Sequence, residues 1–146
     1  MTNGRILRRG NWRLSFYWIS FRGVFIRGRE AFNYELKALE YGLRALKSGM
    51  DEGLPLYQRM FFYFPLMHSE NRELQEMSMM HFRRLVKEAQ ENADANLAFY
   101  QRVFDYAQKH YDTIKKFGRF PHRNPIFDRR PTSEERAFAS APEAAF

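Results

Sequence analysis

The stretch SENRELQEMSMMHFRRLVKEAQENADANLAFYQRVFDYAQKHYDTIKKFG, residues 69–118, decides the fold. In its first half Leu74, Met77, His81, Leu85 and Ala89 recur at helical spacing; in its second, Leu97, Tyr100, Phe104, Ala107, Tyr111 and Ile114 do the same. Ser69 is a good N-cap for the first run, and Glu70 and Glu73 then fall in a first turn, where the helix dipole favours negative charge. Asp94 caps the second run and Gly118 ends it. Met79 and Met80 read as adaptable core. The connection between the runs is short, so the two helices are expected to pack antiparallel.

Upstream, Phe32, Leu36, Leu39, Leu43 and Leu46 follow one another at spacings of four, three, four and three. They predict a helix of about 18 residues from Glu30, with Lys47 in its last turn and Gly49 as a left-handed cap. Residues 51–64 form a shorter unit, in which Pro55 suits a first helical turn and Pro65 is expected to force Phe64 out of helix. Its aromatics Phe61, Phe62, Tyr63 and Phe64 read as core packing. Downstream, residues 119–131 are basic and interrupted by proline, and Thr132-Ser133-Glu134-Glu135 has capping-box spacing for a last short helix before a frayed tail, 139–146. Strand-like alternation is absent. The reading is an all-α domain of antiparallel helical hairpins.

Composition narrows the chemistry. The 146 residues suit one domain, and 45% hydrophobic with 17% aromatic content is too much for a disordered chain. Cysteine is absent, which removes disulfide frameworks, thiolate metal sites and cysteine nucleophiles. The uncharged run 14–21 is 8 residues, against the roughly 20 of a membrane-spanning helix, so no membrane span is expected. The net charge of +7 would suggest nucleic acid, but residues 1–29 hold seven arginines and no acid, and the remainder balances at 17 basic against 17 acidic side chains. The excess belongs to a leader rather than to a folded basic face, so nucleic acid is not an expected partner.

Two polar segments lie at helix ends: Pro65-Leu66-Met67-His68-Ser69-Glu70, and Phe117-Gly118-Arg119-Phe120-Pro121-His122-Arg123-Asn124. Antiparallel packing would bring them to the same end. If His68, Glu70, His122, Arg119 and Arg123 converge, with His110 two turns before Gly118, arginines could hold an anion while a carboxylate-tuned histidine exchanges protons. The structural alternative is that Arg119 and Arg123 pair with Glu70 or cap carbonyls, and that the histidines are satisfied corner residues. No metal is expected: no His-Glu-x-x-His spacing exists, and His68-x-Glu70 lacks the cysteine pair of a deaminase. Phosphate-loop, dinucleotide and nucleophile-elbow motifs are also missing, and no cofactor is implied.

The segment 65–70 with Gln75 downstream, Tyr106-Ala107 with His110, the unbroken run 117–124, Arg129, and Thr132 to Glu135 together resemble the bacterial domain of unknown function 924 family. Arg27-Gly28 and Ala31-Phe32 extend the likeness over 27–138; Asp128 stands where the family has glycine before Arg129. The resemblance implies a tetratricopeptide-like helical fold without an established activity. The candidate ligand-binding set is thus His68, Glu70, Gln75, His110, Arg119, His122, Arg123, Asn124 and Arg129.

Upstream of residue 27 the family resemblance stops, where it implies Leu-Leu-Asp-Gln-Phe-Pro-Arg-(Asn/Ser) and an aromatic before Arg-Gly. Phe16-Tyr17-Trp18-Ile19 is encoded TTY-TAY-TGG-ATH, which from its third base reads YTA-YTG-GAT, Leu-Leu-Asp for every codon choice. The shifted codons through Ile26 permit Gln, Phe, Pro, Arg, Ser, Val and Tyr in order. Residues 1–26 are therefore expected to be an out-of-frame translation, with frame restored between Ile26 and Glu30 and the helical array left without its first helices. Genomic sequencing across codons 1–30 decides this, since a single continuous frame with no homologous alternative reading would end the idea.

Two functions follow as expectations: binding of a small anionic ligand at the His/Arg/Glu cluster, or a non-catalytic tetratricopeptide-like module that binds a partner protein. The clustering of polar groups at helix ends favours the first. Cytoplasmic location is expected from the lack of cysteine, of a credible signal and of a spanning helix.

Overall fold

The computed structural model describes residues 29–141. Among them the order is α1 (Arg29–Lys47), α2 (Leu56–Met67), α3 (Arg72–Glu91), α4 (Leu97–Phe117), a 3₁₀ turn (Pro121–Arg123) and α5 (Ser133–Ala139), with no strand. Successive long helices pack on one another as antiparallel hairpins. Arg59 near the start of α2 reaches Glu88 near the end of α3, at 2.7 Å. The all-α reading holds; the expected out-of-frame leader, 1–26, lies outside the described residues.

Local signals fixed most boundaries. Gly49 has φ +66°, and the N–H of Met50 reaches the carbonyl of Ala45 at 3.0 Å, closing α1 as a left-handed cap. Gly118, φ +71°, closes α4. Thr132 and Glu135 form the capping box of α5 in both directions.

Other details differ from the sequence reading. Pro65 lies inside α2, and Phe64 stays helical: its carbonyl accepts from the N–H of His68 at 3.1 Å. The proline is buried near Gly42 of α1, so packing in the last turn outweighs the ring's preference for an extended predecessor. Pro55 is the residue before α2, not within its first turn. The N-cap of α3 is Asn71, whose side chain accepts from Leu74 N–H at 3.0 Å. Ser69 is taken up by Asn71 N–H, and Glu70 precedes the helix because it is drawn to the C-terminal loop. At α4 the cap position is Asn96, while Asp94 Oδ1 holds the Asn96 N–H at 2.7 Å one step earlier. Met79 is buried, but Met80 points to solvent.

The core lies chiefly between α2, α3 and α4, where Tyr63, Met67, Phe82, Leu85, Ala89, Tyr100 and Ala107 interlock. Phe82 is fully buried, and burial of such a ring stabilises by about 3 kcal/mol. On α1 the most buried stripe is not the leucines but Ala38, Gly42 and Ala45. A Cβ on Gly42 would stand 3.0 Å from the Phe62 carbonyl oxygen, so glycine lets the α1 and α2 backbones approach. Leu36, on the other flank, remains 48% exposed.

Candidate functional site

The two polar segments meet at one end of the α3–α4 hairpin. Gly118 turns the chain back across the hairpin end, and the backbone N–H of Phe120 donates to Glu70 Oε1 at 2.8 Å. Arg129 closes on the same carboxylate with Nη1 at 2.7 Å and Nη2 at 2.9 Å, and Nη2 also reaches the Phe120 carbonyl. Burial alone would raise the Glu70 carboxyl, but the Arg129 hydrogen bonds and the Phe120 N–H outweigh it and hold it below the usual range. Asp128, just before Arg129, takes φ +53°, a left-handed conformation that asparagine and aspartate tolerate better than most residues.

A second carboxylate gathers the rest of the loop. Glu135 accepts from Arg119 Nε and Nη2 at 2.6 and 2.8 Å, from Thr132 N–H at 2.7 Å and from Asn124 Nδ2 at 3.3 Å. The Arg119 hydrogen bond, then the Thr132 N–H, depress its carboxyl to about 2. Arg119, Asn124 and Arg129 are therefore parts of a clasp that holds the 119–131 loop to α3 and α5.

The remaining candidates form a different group. His68 ends α2 and faces His110 of α4, ring centroids 5.5 Å apart; His110 also packs on Tyr106 and Phe120, and Phe120 on His122. The Nδ1–H of His110 donates to the Tyr106 carbonyl at 2.9 Å, which in the neutral ring leaves the lone pair on Nε2. Burial, then the neighbouring His110 and Arg123, pushes His68 down to about 3; burial likewise lowers His110 to about 4 despite the Tyr106 bond. His122, nearer the surface, is lowered by its partial burial and by Arg123. These imidazoles are neutral at pH 7, so each can both donate and accept a hydrogen bond.

Gln75 supports this group from below. Fully buried on α3, it donates through Nε2 to the carbonyls of Met67 and Ser69 on either side of His68, satisfying acceptors that the end of α2 leaves open. Its Oε1 has no partner, nor has the hydroxyl of Ser78 one turn further along. Arg123 is 8% exposed, with its guanidinium over the Phe120 ring at 4.8 Å and the Phe32 ring at 5.8 Å. Nη2 donates to Glu35 Oε2 of α1 at 2.9 Å, while the buried Nη1 has no partner.

Glu35 is the member that sequence reasoning missed. Its signal was present: Glu35, Ala38, Gly42 and Ala45 follow at three, four and three, so a charge heads the inward stripe of small residues. The more hydrophobic leucine stripe beside it masks that pattern. Among the described residues no three His, Asp or Glu side chains are grouped to hold a metal ion.

The chain is thus an all-α protein of antiparallel hairpins with a clasped loop and a histidine–arginine group at one end. Residues 20–143 match the family described as bacterial protein of unknown function (DUF924), and the chain belongs to that family. Among solved structures it is similar to the protein of unknown function ATU0120 from Agrobacterium tumefaciens, with 28% identity and a TM-score of 0.64. The match covers 88% of this chain and 66% of that one, so the chain spans less than two thirds of that relative's length. None of the curated proteins matches the sequence. No helix of the described residues is long and apolar enough to cross a membrane.

Proposed function

We propose that this chain binds a small anionic molecule at His68, His110, His122 and Arg123. The observation that carries the reading is the state of Arg123: a buried cation, braced by two aromatic rings, with one carboxylate oxygen on Nη2 and nothing on Nη1. A buried N–H of a charged group without an acceptor is costly, and an anionic oxygen is the partner that suits it best. The neutral imidazoles of His68 and His122 beside it can donate hydrogen bonds to the same anion without adding charge that would have to be desolvated. Gln75 and Asn124 act as supports, the first for the His68 turn and the second for the Glu135 end of the loop.

The test is calorimetric titration of the full chain with inorganic sulfate, alongside Arg123→Gln and Arg119→Gln. Sulfate should bind wild type and Arg119→Gln, and should not bind Arg123→Gln, with the helical signal kept in each. Undiminished binding by Arg123→Gln, or none by wild type, would overturn the reading.

The second reading, a tetratricopeptide-like interaction module, draws on exposed large apolar side chains: Leu36 and Tyr41 on α1, Tyr57 on α2, Met80 on α3 and Phe99 on α4. They are scattered over four helices, whereas the polar groups are concentrated at one end. Pull-down by a peptide library, lost on Tyr41→Ser or Phe99→Ser but indifferent to Arg123→Gln, would favour it.

A further inference from the structure

The ion pairs of this loop differ in how they are made. Arg129 and Arg119 each grip one carboxylate with two nitrogens, the fork geometry that a guanidinium and a carboxylate favour. Arg123 touches Glu35 through Nη2 alone, and its other terminal nitrogen is left bare inside the protein. Exposure is unequal as well: the Arg123 side chain is 9% exposed and that of Glu35 39%. The carboxylate has water to swing into when another acceptor takes its place. The guanidinium has nowhere to go.

We propose that Glu35 is a built-in competitor of the anionic ligand: its carboxylate holds one edge of Arg123 and has to be displaced, or neutralised by a proton, before an anion binds at full strength. This rests on the anion-binding reading above and goes further, because it makes occupancy of that site proton-coupled.

Every charged or titratable neighbour fits the scheme. Arg123 on the 3₁₀ turn is the group contested. Glu70, ahead of α3, adds repulsion that both Glu35 and an incoming anion feel, but its own oxygens are committed to Arg129 and Phe120. His122 on the turn, His68 at the end of α2 and His110 on α4 surround Arg123, and Arg129 lies beyond Glu70. Burial raises the Glu35 carboxyl, Arg123 opposes and Glu70 adds to it, with a net rise. His68 and His110 remain neutral down to about 3 and 4. Mild acid therefore neutralises Glu35 before it charges those two rings.

The experiment is sulfate titration of the full chain from pH 7 to pH 5, a range in which sulfate keeps its charge, for wild type, Glu35→Gln, Glu40→Gln and Glu35→Gln/Arg123→Gln. Glutamine keeps an oxygen for Arg123 Nη2 and removes the charge. Glu40 pairs with Arg44 on the surface of the same helix and controls for loss of a charge as such. The Glu35→Gln chain should bind sulfate at least about tenfold more tightly than wild type at pH 7, the size expected when a charge a few ångströms from the anion is removed. Glu40→Gln should match wild type, wild type should approach Glu35→Gln as the pH falls, and the double variant should not bind. Equal or weaker binding by Glu35→Gln, with Arg123 still required, would overturn the competitor role and leave anion binding standing. No sulfate binding by wild type or Glu35→Gln at any pH would overturn both. Should Glu35→Gln lose its helical signal, the wild-type profile decides: affinity independent of pH overturns the proposal.

Discussion

The clasp and the histidine–arginine group lie within one loop, yet they handle charge in opposite ways. Glu70 collects three donor contacts and Glu135 four, and each is gripped by two nitrogens of one arginine. Arg123 has one acceptor and an idle nitrogen, beside imidazoles that stay neutral. In the clasp the atoms left over, Arg129 Nε and Asn124 Oδ1, sit on side chains whose other polar atoms are taken up by Glu70 and Glu135. At Arg123 the atom left over is a terminal nitrogen, half of the edge with which a guanidinium grips a second acceptor, and an imbalance of that kind suits a further acceptor.

The largest expected effect is one that destroys the contrast. Phe120 serves both regions: its backbone donates to Glu70 and accepts from Arg129, and its buried ring packs on His110, His122 and Arg123. Phe120→Ala should cost about 4 kcal/mol in urea denaturation, as large-to-small changes of a buried ring do, and abolish sulfate binding with it. Glu70→Ala is narrower. It strands Arg129 and the Phe120 N–H, and should cost about 2 kcal/mol once the remaining solvent exposure of the pair is allowed for. A loss below about 0.5 kcal/mol would show that the loop is held by packing alone.

Acid should separate the two regions without mutation. His68 and His110 titrate at about 3 and 4 in the folded chain, against 6.5 when exposed. The unfolded chain takes up those protons first, so their contribution is complete above pH 6.5 and is lost as the pH falls through about 4 for His110 and about 3 for His68. Glu135, at about 2, and the lowered Glu70 act the same way in a lower window, where stability present above pH 4.5 is lost as the pH falls towards 2. Melting temperature should therefore begin to fall below pH 6.5 from the histidines and fall more steeply below 4.5, where the carboxylates join, so that the upper part of the profile belongs to one region alone. His110→Asn should flatten the upper part and Glu70→Gln the lower, and a profile moved equally throughout by both variants would mean that the regions are one unit.

What the sequence disclosed follows the range of the forces involved. Gly49, Gly118 and the Thr132–Glu135 box read correctly because each is settled by its own few residues. Pro65 inside α2, the cap at Asn71 and the inward face of α1 did not, because contacts with other helices decide them. The meeting of the two polar segments followed from the antiparallel hairpin. The choice of partners did not: spacing cannot say which of Arg119, Arg123 and Arg129 takes Glu70. Glu35 lies 88 residues from Arg123, and only the folded chain puts them together.

The smallest effect tests the hinge between the two regions. Asp128, φ +53°, turns the chain so that Arg129 points back to Glu70, and the Arg129 N–H closes the turn on the Asn124 carbonyl at 2.9 Å. A non-glycine residue in this conformation costs about 1 kcal/mol, and glycine removes that strain at the expense of a freer unfolded chain. Asp128→Gly should thus stabilise by no more than about 0.5 kcal/mol, read from the urea midpoint, and leave sulfate affinity unchanged. The clasp would then be tightened without any change at Arg123, as expected of two separable devices on one loop. A shift in sulfate affinity on Asp128→Gly would mean instead that the turn sets the position of Arg123 as well, and that clasp and site move together.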